Sequence, residues 1–346
     1  MKRVKIIAEI GCNHNGDKEL ARKMVSIAKE CGVDGVKFQT FNSSLLISKY
    51  AEKADYQKKT TGEEENQLEM TRKLELGHDD FLELKEYAKS LALEVFSTPF
   101  DFESIEFLEK NKQNIWKIPS GELTNLPYIE RIGNFEIDDK VIILSTGMAT
   151  IEEIQTAIDV LQRNKKNRII ILHCNTEYPT PEKDVNISAI KDLQRHFPDY
   201  EIGYSDHSVG SVAATMSVAY GITFIEKHFT LDKNFEGPDH KASATPEELK
   251  ELVGNVRRAE VMLGTGHKEV TSSEMRNKKI ARKSIIAKRD IKKGEFFTEE
   301  NLICKRPGNG ISPMHWYEVL GKIADKDFGE DQLIEVNGID WEEPNE

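Results

Sequence analysis

Two histidines, His207 and His228, each stand just past a short apolar run, at residues 200–204 and 222–225. If those runs are neighbouring parallel strands, the two imidazoles end up about 4.8 Å apart in the strand-to-strand direction. Such a pair can hold a divalent metal and leave positions open for substrate and water. The same spacing also lets each imidazole simply bond a carboxylate next to it, Asp206 or Glu226, and the residue types leave both readings open. His14, His173 and His240 are further candidate ligands. Lys37 and Gln39 are two apart, so on a strand they share a face. An inward-facing ammonium needs an anion, either Glu9 or a ligand, and Lys117 poses the same question. With Thr98, Ser120, Ser145 and Ser205, these lysines form an inventory of two cations and several hydroxyls that suits a phosphate plus a carboxylate. Glu122 follows Gly121, whose freedom permits a tight turn that brings the carboxylate over the site as an acid or base. An ion pair with Lys117 is the plainer role for it. Asp239 and His240 lie in GPDHK (237–241), a rigid, exposed loop suited to a polyol, although an ordinary turn has the same composition. KRPGNGIS (305–312) sets two cations beside a Pro-Gly-Asn-Gly loop, which matters for chemistry only if that segment covers the site.

These residues share one placement: each ends, or closely follows, an apolar run. Residues 4–8 end in Glu9, 35–36 lead to Lys37 and Gln39, and 93–97 reach Thr98. Residues 115–118 contain Lys117 and lead to Ser120, 141–144 end in Ser145, and 169–172 end in His173. The runs at 200–204 and 222–225 complete the set. Short apolar runs separated by helical patterns imply parallel strands joined by helices. Eight units predict an α/β fold, a (β/α)8 TIM barrel whose chemistry sits where the strands end.

Helical signals fall between the runs. Leu20, Ala21, Met24, Ile27, Ala28 and Cys31 recur at helical spacing after Asp17. Thr150 with Glu153, and Thr245-Pro246 with Glu248, are capping boxes for two more helices. The small apolar segment 209–219 suits a helix packed tightly on the sheet. A polar insert at 41–78, with a helix expected near 68–74, is either a lid or substrate wall at the barrel mouth or a solvated excursion. The barrel is expected over 1–264, a polar linker over 265–281, and a small domain of short strands over 282–346, with a short helix at 314–320 and a last strand at 332–336.

With 346 residues, the chain is long enough for one barrel of about 250 residues plus a smaller domain. A net charge of −12 argues against nucleic-acid or anionic-membrane partners, while leaving room for a small anion held by a few local cations. There is no long apolar run to span a membrane, and the start MKRVKIIAEIG lacks the apolar core of a signal peptide. Cys12, Cys31, Cys174 and Cys304 are widely spaced, which reads as reduced thiols in a cytoplasmic protein.

Ten segments in order resemble the sialic acid synthase family, and the bacterial N-acetylneuraminate synthases most closely. They are AEIGCNHNG (8–16), VKFQTF (36–41), VFSTPFD (95–101), WKIPSGE (116–122), ILSTGMAT (143–150), LHCNTEYPTP (172–181), GYSDHS (203–208), IEKHFTLD (225–232), GPDHKAS (237–243) and KRPGNGISP (305–313). The resemblance implies condensation of phosphoenolpyruvate with N-acetylmannosamine and water to give N-acetylneuraminate and phosphate by C–O cleavage. A legionaminic acid precursor is the nearest alternative acceptor. It also implies an antifreeze-like SAF domain after the barrel, and a domain-swapped homodimer in which that domain caps the partner's barrel. By motif, His207 and His228 would hold Mn2+ or a similar divalent ion such as Mg2+ or Co2+. Lys37, Thr98, Lys117, Ser120, Ser145 and Ser205 would bind phosphoenolpyruvate, and Gln39, Tyr178, Asp239 and Arg306 the sugar. Glu9 and Glu122 would sit between the substrates, acting with Lys117 as the catalytic groups. This chain has Asn175-Thr176 where some members carry Thr-Asn, and Asn175 is the one expected to face phosphoenolpyruvate. A metal-dependent aldolase or a sugar-binding protein on the same barrel would be a different class. The first would release no phosphate, and the second would have little use for Lys37, Lys117, Glu122 and both histidines together.

Overall fold

A computed structural model describes residues 3–62, 64–163 and 167–339. It divides into two compact units, Met1–Gly264 and Thr265–Glu346. In the first, eight parallel strands alternate with helices: β1 (Lys5–Gly11), β2 (Gly35–Thr40), β3 (Glu94–Pro99), β4 (Ile115–Ile118), β5 (Val141–Ser145), β6 (Arg168–His173), β7 (Glu201–Asp206) and β8 (Phe224–His228). The ladder order is β3-β2-β1-β8-β7-β6-β5-β4, and the two end strands lie side by side, so the sheet closes on itself. The expected TIM barrel is the observed fold.

The seam between β3 and β4 is closed by a side chain. Gln113 accepts from Ser97 N at 2.8 Å and its amide donates to Ser97 O at 2.8 Å, replacing the pair of bonds a ladder would make. An unpaired buried peptide group costs about 1–3 kcal/mol, so this substitution stabilises the closure.

Alternation along the strands sorts the residues. Ile6, Ala8, Val36, Trp116 and Ile225 face outward into the layer between sheet and helices. Ile7, Phe96, Ile115, Ile143, Leu172 and Phe224 point inward and pack the barrel floor. Gly203 is needed there, because a Cβ would lie 2.5 Å from Leu172 and 2.7 Å from Phe224 O. One layer higher, toward the strand ends, the inward positions become Glu9, Lys37, Thr98, Lys117, Ser145, Ser205 and Glu226, all buried.

The helices have local causes. α1 (Lys18–Cys31) is capped by Asp17, whose carboxylate accepts from Glu19 N and Leu20 N, and it ends at Gly32 with φ of 85°. The insert carries α2 (Ser43–Leu46), α3 (Asp55–Thr61) and α4 (Gln67–Arg72), where one helix is expected from sequence. Next come α5 (His78–Ser90), α6 (Phe102–Lys110) and α7 (Leu126–Gly133). α8 (Ile151–Gln162) starts on the Thr150/Glu153 capping box, and α9 (Ala189–His196) and α10 (Val212–Val218) follow. α11 (Pro246–Met262) starts on the Thr245/Glu248 box.

The segment read as a linker contains α12 (Ser272–Ala281), capped by Glu274 on Thr271 N and belonging to the second unit. It has no buried residue, so no apolar face marked it. The second unit also holds an antiparallel pair, β9 (Ser284–Ala287) with β10 (Leu302–Lys305), over a core that includes Ile285, Ile291, Phe297 and Phe328. The expected helix at 314–320 is a 3₁₀ turn, Pro313–His315, followed by α13 (Trp316–Val319). The expected strand at 332–336 is not formed: Leu333 and Val336 make only isolated bridges, to Ile286 and Ile339. The expected end of this domain, at 340–346, lies outside the described residues.

Candidate active site

The polar layer at the strand ends lines a cavity of about 450 Å³. At its base, ammonium and carboxylate groups interlock. Lys37 Nζ lies 2.7 Å from Glu9 Oε2 and 3.8 Å from Glu226 Oε1, and donates to Thr98 Oγ1 at 3.0 Å. Lys117 Nζ approaches the same Glu226 oxygen at 3.1 Å, and Ser205 Oγ reaches it at 3.3 Å. Gln39 donates to Glu9 Oε1 at 2.9 Å. Gly11, at a bulge in β1 with φ of 54°, makes that contact possible, since a Cβ would fall 2.8 Å from Glu9 Oε1.

The electrostatics follow from burial and neighbours. Burial pushes Glu9 up more than Lys37 pulls it down. Burial would raise Glu226 as well, but Lys117 and Lys37 outweigh it and hold that carboxyl below its ordinary value. Burial would lower Lys37, yet Glu226 and Glu9 together raise it. Lys117 is lowered by burial, which Glu226 opposes and the neighbouring Lys37 ammonium reinforces. The difference between the lysines is thus one of partners.

Above this layer, the His207 and His228 rings lie with centroids 5.3 Å apart. Neither bonds the carboxylate next to it in sequence. Asp206 pairs instead with Lys227, and Glu226 with the lysines. His207 Nδ1 donates to Asn175 O, which leaves the Nε2 lone pair facing Ser205 Oγ at 3.3 Å. His228 Nδ1 is buried without a hydrogen-bond partner. Burial drives His207 down to about 4 and His228 well below its usual range, so both are neutral donors at neutral pH. Among the described residues there is no cluster of three or more His, Cys, Asp or Glu around a common centre. What the site itself offers is two neutral imidazoles facing one cavity, nitrogen donors of the kind a divalent ion accepts. Tyr178 packs against His207 with ring centroids 4.2 Å apart and the planes tilted by 31°, and Tyr56 from α3 packs on Tyr178 at 5.3 Å.

Of the sequence-expected site residues, Glu9, Lys37, Gln39, Thr98, Lys117 and Ser120 line the cavity. So do Glu122, Ser145, Tyr178, Ser205, His207, His228 and Asp239. Asn175 does not. Its side chain accepts from Glu177 N at 2.8 Å, and Thr176 takes the place on the wall. Arg306 lies in the second unit, where Nε donates to Ala281 O at 3.0 Å. Glu122 is half-buried and raised by burial, with Asn125 donating to it at 2.6 Å. The 237–241 loop is less exposed than its composition suggested. Pro238 and His240 are buried, and His240 bonds Thr230 Oγ1 at 2.7 Å, a structural role. His14 and His173 likewise do not line the cavity. Asp239 is raised to about 6 by burial, with Cys12 Sγ donating to it at 3.5 Å.

Glu226, which in the sequence is a polar residue ending the eighth apolar run and a possible partner of His228, is a central residue of the cavity. Parity was the available signal, because Glu226 shares the inward face of β8 with His228. Tyr56, Met70 and Leu74 of the insert also line the cavity and carried no signal.

Residues 24–268 match the NeuB family and residues 282–337 match the SAF domain. The chain belongs to the NeuB family. An N,N'-diacetyllegionaminic acid synthase of Campylobacter jejuni is 51% identical over 96% of this chain and 99% of its own length. A second such synthase, from Legionella pneumophila, is 43% identical over 91% of this chain and 89% of its own. The crystal structure of an N-acetylneuraminic acid synthetase from Leptospira borgpetersenii superposes with a TM-score of 0.69 at 35% identity, over 80% of this chain and 90% of that one. This NeuB-family protein is an enzyme, a synthase of the nonulosonate type with a TIM barrel and an SAF domain.

Proposed function

We propose that the enzyme condenses phosphoenolpyruvate with an open-chain N-acylated amino sugar and water, releasing a nonulosonate and phosphate. The observation that carries this reading is the convergence of Lys37 and Lys117 on one carboxylate, beneath two neutral imidazoles, in a single cavity. Two buried cations suit a small substrate that bears both a carboxylate and a phosphate. Thr98, Ser120, Ser145 and Ser205 add hydroxyl donors to the same cavity. A divalent ion held by His207 and His228, Mn2+ or a close substitute, would supply Lewis-acid polarisation of the acceptor's carbonyl when bound.

The protein's own part is to bind, orient and move protons. Lys37 and Lys117 hold phosphoenolpyruvate so that its terminal carbon faces the acceptor's aldehyde carbon, where the new C–C bond forms. Gln39, Tyr178 and Asp239 orient the sugar. Water adds to C2 of the former enol, with Glu122 passing its proton toward the acceptor oxygen. Collapse of the adduct breaks the C–O bond, and phosphate leaves with the bridging oxygen. Glu9, buried and raised, stands between the substrates as a carboxyl that retains a proton readily.

The acceptor is better read as the sugar leading to N,N'-diacetyllegionaminate than as N-acetylmannosamine. The relatives at 51% and 43% identity are N,N'-diacetyllegionaminic acid synthases. The insert also gives the cavity an apolar wall of Phe41, Leu46, Ile47, Met70 and Leu74, suited to an acyl methyl.

The assembly is read as a homodimer in which the partner's SAF unit brings Arg306 over the barrel. The loops at the strand ends expose Met148 and Val209, α10 exposes Val212 at its start, and the SAF unit exposes Met314 and Tyr317, apolar surfaces that a dimer would cover. Four free cysteines accord with a reducing cytoplasm.

The test is a panel of amino sugars mixed with phosphoenolpyruvate carrying 18O in the bridging position. The expected result is phosphate release with the label in phosphate, fastest with the diacetamido acceptor. No phosphate from any acceptor would sink the reading, and label kept in the keto acid would sink C–O cleavage.

A further inference from the structure

The ladder between β7 and β8 sets Asp206 opposite Lys227. Asp206 directly precedes His207, and Lys227 directly precedes His228. Alternation turns this pair away from the cavity, toward the layer where Tyr204 and Ile225 pack. Lys227 Nζ lies 2.9 Å from Asp206 Oδ2 and also donates to Ser208 O, on the far side of His207. Asp206 Oδ1 accepts from Ser208 N at 2.9 Å, Ser208 Oγ at 2.6 Å and Tyr204 OH at 3.1 Å. The two side chains are 0% and 1% exposed. His207 is thereby bracketed: the residues on either side of it are both bonded to the residue before His228. On the cavity side, the Asn175 carbonyl and the Tyr178 ring hold the same imidazole.

Burying two charges is expensive, and an apolar pair of similar volume would fill this layer without that cost. What an apolar pair lacks is direction. We propose that Asp206 and Lys227 are positioning residues, a cross-strand clamp that fixes the separation and aim of His207 and His228. The imidazoles are then arranged for a divalent ion before it arrives. This rests on the reading that the two histidines hold such an ion.

The experiment uses the full chain, stripped by a chelator and titrated with Mn2+ alone, with free Mn2+ read by its EPR signal. Fold is followed in parallel by circular dichroism and the denaturation midpoint. The variants are Lys227→Met, Asp206→Asn, their double, and Lys227→Arg. Wild type is expected to take up one Mn2+ per chain. Each single variant should bind at least about tenfold more weakly, the usual scale for groups that orient a ligand. The double variant should be no weaker than the weaker single, because both break one clamp. Lys227→Arg, which keeps the charge, should recover part of the loss. A folded Lys227→Met or Asp206→Asn that binds as tightly as wild type overturns the clamp, as does a lowered midpoint in either with unchanged affinity. If Lys227→Met fails to fold, Asp206→Asn decides by the same criterion, with Lys227→Arg expected to bind more tightly than Asp206→Asn. If wild type itself takes up no Mn2+, the divalent-ion reading falls first and the clamp with it, which separates the two failures.

Discussion

Asp239 shows how a single residue's setting creates a measurable signature. Burial raises its carboxyl from 3.8 to about 6, and the Cys12 thiol only partly relieves this. The folded state therefore binds the proton more tightly than the unfolded chain. The stability this contributes is fully present below pH 4 and is lost as pH rises through 6. Asp239→Asn carries no such dependence. Denaturant unfolding between pH 4 and 7.5 should show the variant gaining on wild type by up to about 3 kcal/mol, at 1.36 kcal/mol per unit. Equal slopes for the two proteins would contradict a raised Asp239. The lysines illustrate the complementary rule: Glu226 and Glu9 raise Lys37 against burial, whereas burial and the Lys37 ammonium lower Lys117 in the same cavity.

At the scale of elements, the barrel depends on a closure that no ladder makes. Gln113 supplies two bonds of 2.8 Å to Ser97 at the seam between β3 and β4. Gln113→Leu keeps the volume and leaves both Ser97 backbone groups without those partners. The expected loss is about 2–6 kcal/mol in an equilibrium unfolding experiment, since each of the two orphaned groups costs about 1–3 kcal/mol. Faster amide exchange should be concentrated in β3 and β4, and a uniform change across the barrel would argue against a local seam. The insert is the other decisive element. Its α3 delivers Tyr56 onto Tyr178, which lies over His207, and its α4 delivers Met70 to the wall. Introducing a cation there, as in Ile47→Lys, should lower kcat/KM for a diacetamido acceptor by tenfold or more. Turnover with an acceptor bearing a terminal phosphate should change in the opposite sense, because the wall offers apolar contact and no compensating anion. An equal fall for all acceptors would remove the wall from specificity.

At the scale of the whole molecule, the prediction concerns whether one chain makes a complete site. Among the described residues no helix is long and apolar enough to cross a membrane, so the exposed Met148, Val209 and Val212 are not explained by a helical span. If the partner's SAF unit covers them and contributes Arg306, inactive Arg306→Ala and Glu122→Gln variants should complement each other when mixed and reassembled. Recovery near a quarter of wild-type turnover is expected, the share of sites that random pairing makes intact. No recovery, with dimers shown to have exchanged, would place every functional residue of a site on one chain.

Alternation and end residues made the eight strands legible, because a strand buried on both faces must be apolar until it reaches the catalytic layer, where Glu9, Lys37 and Ser145 interrupt the run. Capping boxes at Thr150 and Thr245 likewise marked their helices. α12 was hidden because it buries nothing, although Thr271 and Glu274 carried the same capping signature. What the chain determined by itself was therefore the set of inward polar positions and the order in which they recur. Tertiary structure alone decided their partners: Glu226 with two lysines instead of His228, Thr176 instead of Asn175 on the wall, and Gln113 in place of a ladder. The reason is physical. Local periodicity depends on neighbours three or four residues away, whereas a buried charge is satisfied by whatever closure of the barrel brings within about 3 Å, here Glu226 and Lys117, 109 residues apart.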